Sequence, residues 1–194
     1  MSELNFESLP MQTPYLFGFG GLSGVGKDTQ ANKFKKRHGL FKVKSVSTRQ
    51  PRYEGEDTYY FISEEEYDKA NLCQHAGFSG CRYGATVEEV DKSSIFVLCP
   101  EGLPELLECY TNRPVVMIFM DSTDETRRAR MAARGDSPES VENRIKHDAE
   151  HYGTFCDKVP IHVIDANRDE ESIYQDILAV MKSYCPDFDW TPRD

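Results

Sequence analysis

The chain has 194 residues, 39% of them hydrophobic, enough for one well-buried core and too few for a second independent one. A net charge of −10 argues against a broad nucleic-acid surface, and the longest apolar run, residues 115–120, falls far short of a membrane span. The six cysteines (Cys73, Cys81, Cys99, Cys109, Cys156, Cys185) are too widely spaced for paired zinc motifs; with no export signal, they are expected to be reduced thiols in a cytoplasm.

Residues 1–14 carry neither a basic start nor an apolar stretch and are expected to form a flexible leader. Residues 15–20 (YLFGFG) are aromatic and apolar and run into glycines, as a buried strand does. A polar, lysine-rich helix is expected over 28–38, stopped by Gly39. Residues 41–47 (FKVKSVS) alternate and predict a strand, with loop or hairpin through 48–60. Ser63 and Glu66 have the spacing of a capping box opening a short helix over 64–71. Residues 76–86, rich in glycine and aromatics, read as loop with short strands. Further strands are expected at 95–99, 115–120 and 161–164, and helices at 103–110, 123–134, 138–151 and 170–184. This alternation predicts an α/β fold, a parallel sheet with helices on both faces. The acidic end, 186–194, is expected to be a loosely attached tail.

Residues 21–27 read Gly-Leu-Ser-Gly-Val-Gly-Lys and fit G-x-x-x-x-G-K between a strand and a helix. Glycines let the backbone curl so that successive N–H groups point at phosphate oxygens. The following helix adds its positive N-terminal end, and Lys27 reaches the terminal phosphates. Gly21, Ser23, Gly24, Val25, Gly26, Lys27, Asp28 and Thr29 are therefore candidate ATP-binding residues. The residue after the lysine is normally a Ser or Thr that holds Mg²⁺. Here it is Asp28, which suits Mg²⁺ as a hard oxygen ligand and equally suits a helix first turn.

Two arginine clusters follow. Arg49 and Arg52, three apart and held by Pro51 near Tyr59, suit a phosphate clamp. Arg127, Arg130 and Arg134 share one helix face, with Arg144 on the next helix; by itself such a face is usually solvated, and Arg127 and Arg128 are expected to remain so.

Taken together, GLSGVGKDT (21–29), SVSTRQPR (45–52), TYYFISEEEY (58–67), GCRYGATVEEV (80–90) and RMAARGDSPESVENRI (130–145) resemble the guanylate kinase family, in the family's order, over about residues 15–184. The resemblance implies a P-loop fold over 15–185. It also implies a small acceptor-binding subdomain at about 47–90 and a helical lid at about 127–150. By resemblance Ser47, Arg49, Arg52, Tyr59 and Tyr83 hold the acceptor, and Arg130, Arg134 and Arg144 act on ATP and the moving phosphoryl. Lys27, Arg49, Arg134 and Arg144 are the candidate catalytic residues, Asp28 the candidate metal ligand, and ATP with Mg²⁺ the implied cofactors. A monomer or homodimer acting on a small molecule, with no nucleic acid or membrane partner, is expected.

The chain departs from the family where guanine is read. Counting back from Tyr83-Gly84, the family's glutamate position holds Gln74, and the serine position after that motif holds Ala85. Val97 and Cys99 replace acids at the end of a strand. The acceptor implied first is GMP or dGMP; a non-guanine nucleotide or ribose 1,5-bisphosphate is the alternative, since related ribose bisphosphate kinases share Gly-Lys-Asp and lack the base-reading acids. A non-catalytic guanylate-kinase-like binding module is a second alternative, against which stand Lys27, Arg130, Arg134 and Arg144. A switch-type hydrolase has no need of the Arg49–Arg52 pair.

Overall fold

The computed structural model describes residues 12–78, 80–98, 102–151 and 158–193. β1 (Leu16–Gly21) leads through the glycine loop into α1 (Lys27–His38), which ends on Gly39 in the left-handed conformation. Next come β2 (Val46–Ser47), β3 (Tyr60–Phe61), α2 (Glu64–Lys69), β4 (Leu72–Phe78) and β5 (Cys81–Thr86). The rest of the chain supplies α3 (Val87–Lys92), β6 (Ile95–Val97), α4 (Leu103–Cys109), β7 (Val115–Asp121) and α5 (Asp124–Ala133). It closes with α6 (Pro138–His151), β8 (Ile161–Asp165) and α7 (Glu170–Tyr184). The capping box at α2 is present, with Ser63 and Glu66 satisfying each other's backbone N–H groups.

The main sheet has strand order β6-β1-β7-β8, and every pairing in it is parallel. Side chains alternate between its faces, as the strand period of two requires. Phe17, Phe19, Val116, Ile118 and Met120 pack with α1 and α7 in one buried cluster. Leu16, Phe96, Val115 and Met117 pack on the opposite face with α3, α4, Cys73 and Ala85. At Gly18 the missing side chain leaves room for Met117, whose Sδ would lie 2.2 Å from a Cβ there. Helices thus cover both faces, as the alternation predicts, and the glycine loop opens at the carboxyl end of the central strand β1, where open α/β sheets place their ligands.

A second sheet, order β3-β2-β5-β4, projects from this frame. Here the sequence expectations need correcting. The strand expected over 41–47 is divided between the two sheets. Lys42 bridges to Ile95 and Val43 N–H donates to Ile95 O in the main sheet, while Val46 and Ser47 pair with β5 and β3 in the second. Alternation alone cannot reveal such a change of partner. Of residues 76–86, expected as loop with short strands, 76–78 end β4 and 81–86 form β5, its antiparallel partner, and α3 directly after β5 was not anticipated.

The C-terminal end is not loose. Trp190 is 8% exposed within the main core, its ring packs against Phe188 and His38, and its Nε1–H donates to Cys185 O at 2.9 Å. Arg193 N–H donates to Arg37 O at 2.8 Å. One large apolar side chain therefore anchors a segment whose composition is polar. At the other end, Thr13 is buried and its N–H donates to Ser94 Oγ; residues 1–11, most of the expected leader, lie outside the described residues.

Candidate active site

The glycine loop has the backbone its function requires. Gly24 and Gly26 have φ of 82° and 101°, which only glycine adopts freely. Gly24 is also packed so closely on α5 that a Cβ would lie 2.8 Å from Arg127 O. Gly26 caps α1 without a side-chain hydrogen bond, leaving the first-turn amides available to an anion. Lys27 folds back over the loop, its Nζ donating to Gly21 O at 2.6 Å and Leu22 O at 3.0 Å. Asp28 stands at the loop's mouth, its side chain 71% exposed and bonded to Lys42 Nζ at 2.9 Å.

A cleft of roughly 1180 Å³ runs from this loop to the second sheet. It gathers every candidate residue but one. Gly21, Ser23, Gly24, Val25, Gly26, Lys27, Asp28 and Thr29 line one end; Arg49, Arg52, Tyr59, Gln74 and Tyr83 the other. Arg130 and Arg134 reach in from α5, and Arg144 from α6. The exception is Ser47. Its side chain is fully buried and its Oγ accepts the N–H of Arg49 at 3.1 Å, while Ser45 lines the cleft nearby.

Glu56 organises the second-sheet end of the cleft. Its carboxylate takes Arg49 in two contacts, Nη2 to Oε1 at 2.7 Å and Nη1 to Oε2 at 3.2 Å, and accepts Arg52 N–H at 2.6 Å. These bonds pull its pKa down to about 2, the Arg49 guanidinium contributing most and the Arg52 amide next. The Arg49 guanidinium is raised in turn by the same carboxylate. It lies 5.5 Å from the Tyr59 ring centre and 5.1 Å from that of Phe61. Burial, then the nearby charge of Asp28, raises the Tyr59 hydroxyl, so it remains a donor. Sequence reasoning missed Glu56, one of three acids between Arg52 and Thr58.

Asp136 does the same at the α5–α6 junction. Its Oδ2 accepts Arg134 Nε at 3.0 Å and ion-pairs with Arg144 Nε at 3.9 Å. Arg134 first, then Arg144 and Arg52, hold this carboxyl below the usual range. Arg130 donates to Val25 O and Arg168 O, each at 3.1 Å. Arg127, expected in solvent, is instead 2% exposed, paired with Asp124 and Asp148 and bonded to Ser23 O. A helical wheel assigns it to the arginine face, but that face is turned against the glycine loop. Arg128 stays near the surface, paired with Glu142.

No family model matches the chain. Among curated proteins, a guanylate kinase from Gloeobacter violaceus is 31% identical over 149 residues, covering 67% of this chain and 70% of that protein. The chain belongs to the guanylate kinase family. A guanylate kinase from Anaplasma phagocytophilum is 34% identical over 140 residues, 64% of this chain and 66% of its own length. The crystal structure of guanylate kinase from that organism shares the fold, with a TM-score of 0.55 at 24% identity over 96% of this chain and 93% of the other. The matched stretches span about two thirds of these relatives' own length.

Within this guanylate kinase framework the hairpin end of the cleft is the unusual part. Gln74 and Ala85, at the two positions where the resemblance expects base-reading residues, are direct cross-strand partners in β4–β5. Gln74 lines the cleft, and its Nε2 donates to His75 O at 2.7 Å. Its amide lies over Gly102, where a Cβ would meet Nε2 at 2.6 Å. Ala85 is fully buried in the core cluster beneath. Val97 lines the cleft, and Cys99 lies outside the described residues.

Proposed function

We propose that this chain transfers the γ-phosphoryl group of ATP to the phosphate of a nucleoside monophosphate, GMP or dGMP first, giving the diphosphate. The observation that carries this is one cleft with a glycine loop and lysine at one end and Arg49, Arg52, Tyr59 and Tyr83 at the other. Arg130, Arg134 and Arg144 border the space between. The second sheet is then the acceptor-binding part and the α5–α6 pair the lid.

The roles follow from charge and reach. The loop amides and Lys27 hold the donor's β- and γ-phosphates. Arg49 and Arg52 hold the acceptor anion in line, so that one of its oxygens attacks the γ-phosphorus. The bond from that phosphorus to the β–γ bridging oxygen breaks, and ADP leaves. No general base is needed, because the attacking oxygen is already anionic. Arg134 and Arg144 meet the charge that spreads over the moving group. Mg²⁺, when bound, neutralises the donor phosphates, and Asp28 offers it a hard oxygen.

Gln74 at the base end supports weaker guanine selection than a carboxylate gives. A carboxylate accepts from both guanine N1–H and the exocyclic amine, whereas an amide presents one acceptor and one NH₂. This also favours a second reading, a non-guanine nucleotide or ribose 1,5-bisphosphate as acceptor. The deciding experiment is a coupled ATP assay across GMP, dGMP, other nucleoside monophosphates and ribose 1,5-bisphosphate. We expect GMP turnover with selection relaxed by about 5- to 150-fold for one unpaired donor, and Gln74→Glu to sharpen it. Lys27→Ala serves as control and should lose about 10²- to 10⁴-fold in rate. Turnover with no acceptor, or full activity in folded Lys27→Ala, would remove the assignment.

A further inference from the structure

Ser23, third in the glycine loop, is held on both sides by groups from α5 and α6. Its N–H donates to Asp148 Oδ2 at 2.8 Å and its hydroxyl to Asp148 Oδ1 at 3.2 Å. Its carbonyl accepts from Arg127 Nε at 2.9 Å, and the same guanidinium pairs with Asp148. The Arg127 side chain is 2% exposed and that of Asp148 13%, so the pair is nearly dry. Holding two helices together does not require such a pair, since apolar residues of similar size pack at least as well. Its position is what sets it apart. The Asp148 carboxylate sits on an amide of an anion-binding loop and shares a cleft with Lys27, Arg130, Arg134 and Arg144. A triphosphate brings several negative charges to the same surface, and like charges at short range repel.

We propose that Asp148 is a gate on the donor end of the cleft. It is an anion carried by α6 that occupies the glycine loop until a nucleoside triphosphate displaces it. This rests on the donor-site reading above. In the donor-free protein Asp148 ties α6 to Ser23. Donor entry breaks that tie, and α6 with Arg144 becomes free to close over the phosphates. Donor binding and movement of α6 are thereby one event, and the cost of displacing Asp148 rises with the charge the donor brings.

The test is calorimetric titration of the full chain with ATP, ADP and AMP in magnesium buffer without acceptor. Asp148→Asn keeps the side chain's size and one acceptor oxygen but removes its charge. The variant is expected to bind ATP about three- to tenfold more tightly than the wild type. The gain should shrink for ADP and vanish for AMP, which a merely loosened loop would not produce. Should Asp148→Asn be unstable because Arg127 is left buried, Arg127→Leu combined with Asp148→Ala removes both charges and should show the same graded gain. Unchanged or weaker ATP binding in these variants, or an equal gain for AMP, overturns the gate while leaving the donor site standing. A wild-type protein that binds no ATP overturns both.

Discussion

A buried carboxylate beside two arginines decides how the proposed acceptor end of the cleft behaves. Glu56 fixes the Arg49 fork and the Arg52 backbone before any substrate arrives, so the Arg49 guanidinium and the loop that carries Arg52 need not be ordered during binding. Glu56→Gln is expected to raise the acceptor KM about tenfold with less effect on kcat; an unchanged KM would mean the clamp is preformed by other contacts. The same residue sets a pH dependence. Its pKa falls from 4.5 to about 2 on folding, so it stabilises the fold above about 4.5, and that contribution is lost as pH drops from there towards 2. Urea midpoints of wild type and Glu56→Gln should therefore differ at pH 6 and converge towards pH 3. At this scale the donor loop was legible because a fixed spacing of glycines and lysine carries its own mechanism. Glu56 was not, because choosing it among Glu54, Glu56 and Asp57 requires knowing which one the loop turns inward.

At the scale of elements, the cleft is assembled from parts that are pinned in different ways. Arg52 belongs to the loop pinned by Glu56, whereas Arg134 ends α5 and is paired with Asp136 at the turn into α6. Contacts made equally in the ground and transition states change KM, and contacts completed on closure change kcat. Arg52→Ala is therefore expected to weaken acceptor use, and Arg134→Ala to lower kcat by about 10²- to 10³-fold. Steady-state kinetics with each substrate varied would separate them; an Arg52→Ala variant changed only in its ATP KM would move the acceptor site elsewhere. Helix positions were readable because caps and periodicity act locally: the Ser63–Glu66 box and the Gly39 stop both lie where their spacing predicts. Strand partners were not. Residues 41–47 divide between two sheets, and the partners responsible, Ile95 and β5, lie roughly forty to fifty residues away.

For the molecule as a whole, the chain's C-terminal segment closes the core it would have been expected to leave open. Trp190 covers one end of the α1–α7 layer, over His38 and Phe34's cluster, and His38 in turn bonds Tyr174 of α7 at 2.6 Å. Polar composition hid this, because one indole buries more apolar surface than its acidic neighbours can offset. None of residues 185–193 lines the cleft, so the segment is expected to contribute to stability and not to chemistry. Trp190→Ala removes a large side chain that is 8% exposed and should cost about 3 kcal/mol, the lower end for buried aromatic truncation. In a chain of this size that lowers Tm by about 6 to 12 °C. A thermal scan beside an ATP titration checks both halves: Tm should fall while ATP affinity at 20 °C holds. A Tm within 2 °C of wild type would restore the loosely attached tail, and a loss of affinity with Tm would show that the α1–α7 layer transmits strain to the loop at the head of α1.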